Sequence, residues 1–501
     1  MENINFDCYN HIYNLLSDKD RISLSLSCVK FLEYSYDLRL SHNYEYIKDL
    51  LHYDLFYDIN DYYFYKYSLK NLNNLKKLDI SNTYNSNIST INLPSSITEL
   101  DCFNCGIKDF KFLEKLNNLK KLDISCNKKS NISYINLPSS ITELDCYSCD
   151  IDFKFLEKLN NLKILNISNN YYSNTYSNLP SSITELYCYY CDIKDFKFLE
   201  KLHNLKKLDI SCNNNSNISS INLPSSIKEL DCNYCGIKDF KFLEKLYNLK
   251  KLNISGNYNS NISNINLPSS IITLDCYSCD IKYFKFLEKL NNLKKLDISC
   301  NNNSNISSIN LSSSITELHC RSCDIKDFKF LEKLINLKKL NMSWNINSNI
   351  SSINLSSSLI DFNCGKCNIE DFKFLEKLIN LKKLDMSWNI NSNISYINLS
   401  SFIIDFDCSE CDIEDFKFLE KINQFKKLDI SHNKNSNISY INLSSSITEL
   451  DCSFCEIEDG KFLEKLINLK KLDISHNKNI SFIDLPLSTA IIYNNFSQGF
   501  I

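Results

Sequence analysis

Alanine, glycine and proline are almost missing from this chain: one alanine, Ala490, six glycines and six prolines occur in 501 residues. Loops that cradle phosphate need several glycines close together at a strand-to-helix turn, so their scarcity excludes most nucleotide enzymes. No run of about 18 apolar residues occurs, which argues against a membrane-crossing helix. The start, Met1-Glu2-Asn3-Ile4-Asn5, also lacks the basic and then apolar pattern of a secretory leader. Excess charge of either sign is lacking too. Residues 1–72 hold seven Lys/Arg and eleven Asp/Glu, and the remainder holds 49 of each. A neutral array has no field with which to hold a phosphate backbone or an anionic bilayer, so neither nucleic acid nor membrane is expected as a partner.

Asn, Ser, Ile, Leu and Lys fill most of the chain. With 23% charged and 43% hydrophobic residues the composition is that of a folded protein, but so narrow an alphabet points to internal repetition. From about residue 75 the sequence copies itself every 44 residues. Cys102, Cys146, Cys188, Cys232, Cys276, Cys320, Cys364, Cys408 and Cys452 mark the register, with one interval of 42. Each 44 divides into halves of 22. The first reads Ile97-Thr98-Glu99-Leu100-Asp101-Cys102-Phe103-Asn104-Cys105, and the second reads Leu119-Lys120-Lys121-Leu122-Asp123-Ile124-Ser125-Cys126-Asn127.

Both halves fit L-x-x-L-x-L-x-x-(N/C), and the pattern resembles the leucine-rich repeat family over about 19 units. The resemblance implies an α/β fold: a leucine-rich repeat solenoid with a curved parallel sheet and a short helical or irregular convex side. Alternation puts Leu100 and Cys102 inward and Glu99 and Asp101 onto the open concave face. In the first half, Asp109 is a candidate N-cap, and Phe110, Leu113 and Leu116 have helical spacing, so a short helical turn is expected there. The second half, Asn127 to Ser140, shows no such face and is expected to be extended or irregular. The recurrent Asn-Ile-Ser triplets read as a consequence of Asn and Ser abundance. The first half is similar to internalin-type repeats, and Leu137-Pro138-Ser139-Ser140-Ile141 is similar to the L-P-x-x-L units of bacterial effector repeats. That proline (94, 138, 180, 224, 268) becomes serine in later copies (312, 356, 400, 444), as two rounds of duplication would leave it.

Eighteen of the 23 cysteines form nine C-x-x-C pairs, a spacing that elsewhere means zinc or redox chemistry. Here each pair occupies positions six and nine of a repeat. Successive pairs are separated by an intervening strand, roughly 9–10 Å, too far for four thiolates to share one zinc. Packing is the expected role, with no cofactor or metal, and so many unpaired thiols favour a reducing compartment, cytosol or nucleus.

Recognition, if present, belongs to the outward positions three, five, seven and eight. Position three alternates Glu (99, 143, 185, 229) with Lys (77, 121, 207, 251), a cross-strand ladder of opposite charges. Position five is mostly Asp, a row of like charges for flanking lysines or a basic partner to offset. The monotony breaks twice, at Tyr187, Tyr189 and Tyr190, and along His319, Arg321, Trp344, Asn363, Lys366 and Trp388. The second stretch contains both tryptophans and the only arginine of the array. Trp, Tyr and Arg are the residues that most often anchor interfaces. Recent duplication of the Trp-bearing unit would equally place the tryptophans together.

Residues 1–43 lack the repeat. Ile12, Leu15 and Leu16, then Ile22, Leu26 and Val29, have helical spacing. The segment resembles an F-box in Ile12, Leu16, Asp20, Cys28 and Phe31, while Ile4-Asn5 stand where that family has Leu-Pro. The resemblance implies docking of the small adaptor subunit of a cullin-type ubiquitin ligase through Ile12, Leu16, Ile22, Leu26 and Phe31. Residues 44–72, rich in Tyr and Phe, read as linker and N-terminal cap, 73–483 as the solenoid and 484–501 as a C-terminal cap. The implied protein is a non-catalytic substrate receptor that captures a protein target on the concave face. The alternative is a repeat scaffold with no link to ubiquitin. An enzyme has little room outside the repeats, and Cys8 with His11 is the one local nucleophile and base pair.

Overall fold

The computed structural model describes residues 75–83, 92–171, 179–302, 305–346, 348–390, 392–434 and 436–477, with the backbone of Ser41–His42, Asp58–Asn60 and Ala490–Ile492. The chain forms two compact units, Met1–Ile237 and Lys238–Ile501. Each is built the same way. A three-residue strand such as Lys77–Asp79 or Glu99–Asp101 pairs in parallel with the strand one repeat on, and its central leucine is buried between two outward residues. In the first unit the pairing runs from Lys77–Asp79 to Glu229–Asp231, and in the second from Lys251–Asn253 to Lys471–Asp473. The register is Lys opposite Glu and Leu opposite Leu, as the 22-residue period dictates. Glu143, Ile164 and Glu185 stand opposite one another in turn, so each half here spans 21 residues, which accounts for the interval of 42.

Two strands, Ser41–His42 and Asp58–Asn60, pair in parallel ahead of the first repeat, and Ala490–Ile492 pairs beyond the last. The sheet therefore continues into the segments assigned from sequence to the head module, the linker and the C-terminal cap. The F-box-like positions Ile12, Leu16, Ile22, Leu26 and Phe31 lie outside the described residues.

Behind the sheet the first half turns through a 3-10 helix, Lys111–Lys115 and its copies, that buries Phe112 and Leu113. Phe110, just before it, is fully buried and recurs as Phe153, Phe196, Phe240, Phe284, Phe328, Phe372 and Phe416. Asp109 stands one residue ahead of the N-cap, which is Phe110, and accepts from the Lys111 N–H at 3.0 Å, two residues on, as an Asx turn does. The second half is largely irregular, as expected, with one regular element. It holds a three-residue 3-10 turn, Ile132–Tyr134, repeated as Ile218–Ser220 and Ile262–Asn264. One turn this short has no apolar stripe to betray it.

The asparagine before that turn is not a by-product of composition. Asn131 accepts from the Phe110 N–H at 2.9 Å and donates to the Asp109 carboxylate at 2.6 Å, joining the outer turns of adjacent repeats. Asn217, Asn261, Asn349, Asn393 and Asn437 do the same for Phe196, Phe240, Phe328, Phe372 and Phe416.

A second ladder runs at position nine, where the chain leaves the sheet. Asn345 has no exposed surface. Its amide donates to the carbonyls of Cys320 at 2.8 Å and Met342 at 2.6 Å, and its oxygen accepts from the Ile325 N–H at 2.9 Å. In the alternate half a cysteine takes this place: Cys367 Sγ donates to Met342 O at 3.3 Å and Cys323 Sγ to Ile298 O at 3.1 Å. Removing Asn345 leaves several buried backbone groups without partners, each costing about 1–3 kcal/mol. Asn345→Ala should therefore lower stability to urea by about 3 kcal/mol, whereas Asn336→Ala, whose bond to Ser313 O is exposed, should cost under about 0.5 kcal/mol. Equal losses in the two variants would contradict this role.

Candidate functional site

The exposed sheet face carries positions three, five, seven and eight. At position three the expected ladder forms: Lys121 meets Glu143 at 2.8 Å, Lys295 meets Glu317 at 3.0 Å and Lys427 meets Glu449 at 3.0 Å. Lys77 and Glu99 pair likewise. Such part-exposed pairs contribute little each, about 0.2–1 kcal/mol, but they also fix the register.

The aspartates at position five have a use the sequence reading did not give them. Each carboxylate accepts the N–H two residues ahead, as Asp123 does from Ser125 at 2.8 Å and Asp407 from Ser409 at 2.9 Å, closing the turn out of the strand. Asn166, Asn253, Asn341 and Asn363 make the same bond where they replace Asp. Charge is thus not required for the turn, and the carboxylates repel one another along the row. Burial raises Asp123 to about 6, helped by Asp145 and Asp101, and burial with the Asp429 charge raises Asp407 to about 6. A groove of about 600 Å³ follows this row in the first unit from Lys77 to Tyr187, and another of about 350 Å³ in the second from Asp405 to Asp473.

Position eight has left-handed backbone throughout. Asn82, Asn104, Cys126, Ser148, Gly256 and Ser278 have φ between +53° and +68°, a region open to small polar residues and glycine. Trp344 at +64°, Lys366 at +53°, Trp388 at +62°, His432 at +58° and Phe454 at +54° adopt it as well. Side chains this bulky hold that conformation at a cost of about 1–3 kcal/mol each.

The second cluster is brought together. Lys366 Nζ lies 3.8 Å from the Trp344 ring centroid and 5.2 Å from that of Trp388, while the Arg321 guanidinium sits 5.5 Å from Trp344. Both tryptophans are nearly half exposed, at 44% and 48%. His319 turns instead to Glu317 at 3.1 Å, and Asn363 donates to Asp385 at 2.6 Å. The tyrosines take separate neighbours. Tyr187 donates to Glu185 at 3.1 Å beneath Lys207, Tyr189 lies 6.1 Å from Tyr147, and Tyr190 meets Tyr171 edge-on at 4.9 Å. One feature was missed from sequence: His432, Phe454 and His476 form a continuous stack with centroids 4.3 and 4.0 Å apart. The signal was present as three rings at one position of three successive repeats.

Nothing in this arrangement resembles an activated nucleophile. Cys102 and its equivalents are fully buried, and burial pushes their thiols well up. Cys323, Cys367 and Cys411 are raised to about 12 by burial. Among the described residues no three His, Cys, Asp or Glu side chains converge on a point.

The model for Leucine Rich repeats (2 copies) matches residues 95–137, 181–225 and 225–268. These are leucine-rich repeats. With the parallel register and the repeat-to-repeat asparagine ladder, the fold is a leucine-rich repeat solenoid, as the sequence implied. Among solved structures, an internalin from Listeria monocytogenes is 18% identical over 69% of this chain and 83% of its own, with a TM-score of 0.34. YopM from Yersinia enterocolitica is 19% identical over 84% of this chain and 87% of its own, with a TM-score of 0.46. No curated protein matches the sequence. No helix among the described residues is long and apolar enough to cross a membrane.

The carboxylate row makes stability depend on pH. Asp123 and Asp407 have folded pKa values above the unfolded one, so the native state binds their protons more tightly and is stabilised below about pH 6. That stability is lost as pH rises through 6. Asp109 and Glu449 are shifted down, by bonds to Asn131 and Lys427 first, and lose their contribution only below about pH 4. Urea midpoints should therefore be higher near pH 5 than near pH 7.5. Asp123→Asn with Asp407→Asn should shrink that difference, and an unchanged difference would refute the assignment.

Proposed function

We propose that this leucine-rich repeat protein is a non-catalytic interaction module that captures a protein target on its exposed sheet face. The carrying observation is the cluster of Arg321, Trp344, Lys366 and Trp388, in which two part-exposed indoles flank a lysine on strained backbone. Rigid aromatic surface with fixed cations is what anchors interfaces: it buries large area at little entropic cost. Tyr187, Tyr189 and Tyr190 supply a smaller aromatic surface of the same kind, and His319 borders the tryptophan cluster in sequence. The buried thiols, which form no disulfide among the described residues, suit a reducing cytosol or nucleus.

The finer reading is a substrate receptor of a cullin-type ubiquitin ligase, with residues 4–40 docking the adaptor subunit. It rests on the F-box-like spacing of Ile12, Leu16, Asp20, Cys28 and Phe31 and on the order of that segment before the repeats. The enzyme chemistry would then belong to the recruited ligase.

Affinity capture with the full chain from a eukaryotic lysate tests both parts. Arg321→Ala, Trp344→Ala and Trp388→Ala together should abolish target capture with no fall in melting temperature, since these groups lie on the surface. Leu16→Asp with Phe31→Asp should leave the target bound but lose the adaptor and cullin. Target capture that survives the triple substitution would place the site elsewhere, and absence of adaptor from the unaltered protein would reduce it to a scaffold.

A further inference from the structure

The position-eight column does not end at Trp388. It continues through Glu410, which bonds His432 Nδ1 at 3.2 Å, into the stack of His432, Phe454 and His476. The ring faces of Phe454 are taken up by the two imidazoles, so the column presents ring edges as a continuous wall rather than a socket. Beside it, at position five, run Asp407, Asp429 and Asp451 on successive strands, about 4.8 Å apart. The lysines of this stretch are already engaged at position three, Lys383 with Asp405 at 3.5 Å, Lys427 with Glu449 at 3.0 Å and Lys471 with Glu449 at 3.7 Å. Among the described residues no lysine or arginine pairs with Asp407, Asp429 or Asp451.

The row is therefore charged beyond what its own face offsets, and the repeats did not need it: asparagine closes the same turn at position five elsewhere. Wall and row also coincide. In the first unit the aspartates at 101, 123 and 145 are accompanied at position eight by Asn104, Cys126 and Ser148, with no wall. Single large rings stand on the same left-handed backbone at Tyr190, Tyr234, Trp344 and Trp388, but three on successive repeats, stacked on one another, stand beside the groove of Asp405 to Asp473.

We propose that the groove over Asp407, Asp429 and Asp451 is a second docking site, separate from the tryptophan cluster, for an extended lysine- or arginine-rich polypeptide segment. Its cations lie over the carboxylate row, and the aliphatic stems of its side chains pack along the His432–Phe454–His476 wall. The charge complementarity selects this occupant. A nucleic acid, which could also use aromatic edges, would be repelled by the row.

The test uses the full chain and a labelled peptide of about 12 residues alternating arginine and serine, with a glutamate–serine peptide and an oligouridine RNA of similar length as probes, at low and moderate salt. The basic peptide should bind, and Asp407→Asn/Asp429→Asn/Asp451→Asn should weaken it about tenfold. Phe454→Ser should weaken it about threefold. Both substitutions use residues the repeats already carry at those positions, so circular dichroism should be unchanged. Asp101→Asn/Asp123→Asn/Asp145→Asn should leave affinity within about twofold, and so should Trp344→Ala/Trp388→Ala, which separates this site from the target-capture site. Failure of the basic peptide to bind, equal loss in the first-unit triple, loss in the tryptophan variant, or RNA binding as tight as the peptide would each overturn the proposal.

Discussion

A strand of three residues that must leave the sheet at once has one recurrent difficulty: its backbone carbonyls turn inward where no water can reach them. Everything else in the repeat follows from how that is met. Position nine supplies a side-chain donor from the interior, an asparagine amide in one half and a cysteine thiol in the other. The asparagine serves its own repeat and the one before it, so the hydrogen bonds that finish one turn also dock it to its neighbour. Burying such a polar group is favourable only because every atom of it is used. The nine cysteine pairs fit the same scheme. Position six fills core volume, position nine donates to a carbonyl, and neither thiol is poised to ionise.

The exposed face meets a different conflict. Turning out of the strand asks for an acceptor at position five and left-handed backbone at position eight. Small polar residues satisfy both without charge or strain, and much of the first unit uses them at position eight. Where the chain instead spends aspartates and large rings, it carries repulsion and backbone strain that the fold does not need. Strain of this kind clusters at binding surfaces, and on that ground Trp344, Trp388 and Phe454, although less exposed than Tyr134 on the outer turns, are the residues of the proposed sites.

Much of this was legible in the sequence. The 22-residue period fixed which residues face each other, so the Lys121 and Glu143 ladder and the inward Leu100 and Cys102 could be read from alternation. Trp344, Lys366 and Trp388 stood out because they break a monotonous text. What escaped were contacts between residues one repeat apart that lie off the strand: Asn131 looked like background until Phe110 and Asp109 stood 21 and 22 residues behind it. The 3-10 turn at Ile132–Tyr134 escaped because three residues cannot show a period. The relation of His432, Phe454 and His476 lies across the chain, one ring per repeat, and does not show along it. The head, residues 1–40, lies outside the described residues, so its resemblance stands on sequence alone.

The central claim is that the C-x-x-C cysteines are interior groups, position six filling the core and position nine donating between repeats. It is tested most directly by native-state thiol labelling with residue-resolved mass spectrometry across a urea gradient. The account predicts that Cys126, Cys212 and Cys300, which are part-exposed, label in the native state, while both members of the nine pairs label only as their repeats unfold. Native labelling of Cys105, Cys323 or Cys367, or protection of the pairs that vanishes on treatment with a zinc chelator, would contradict it.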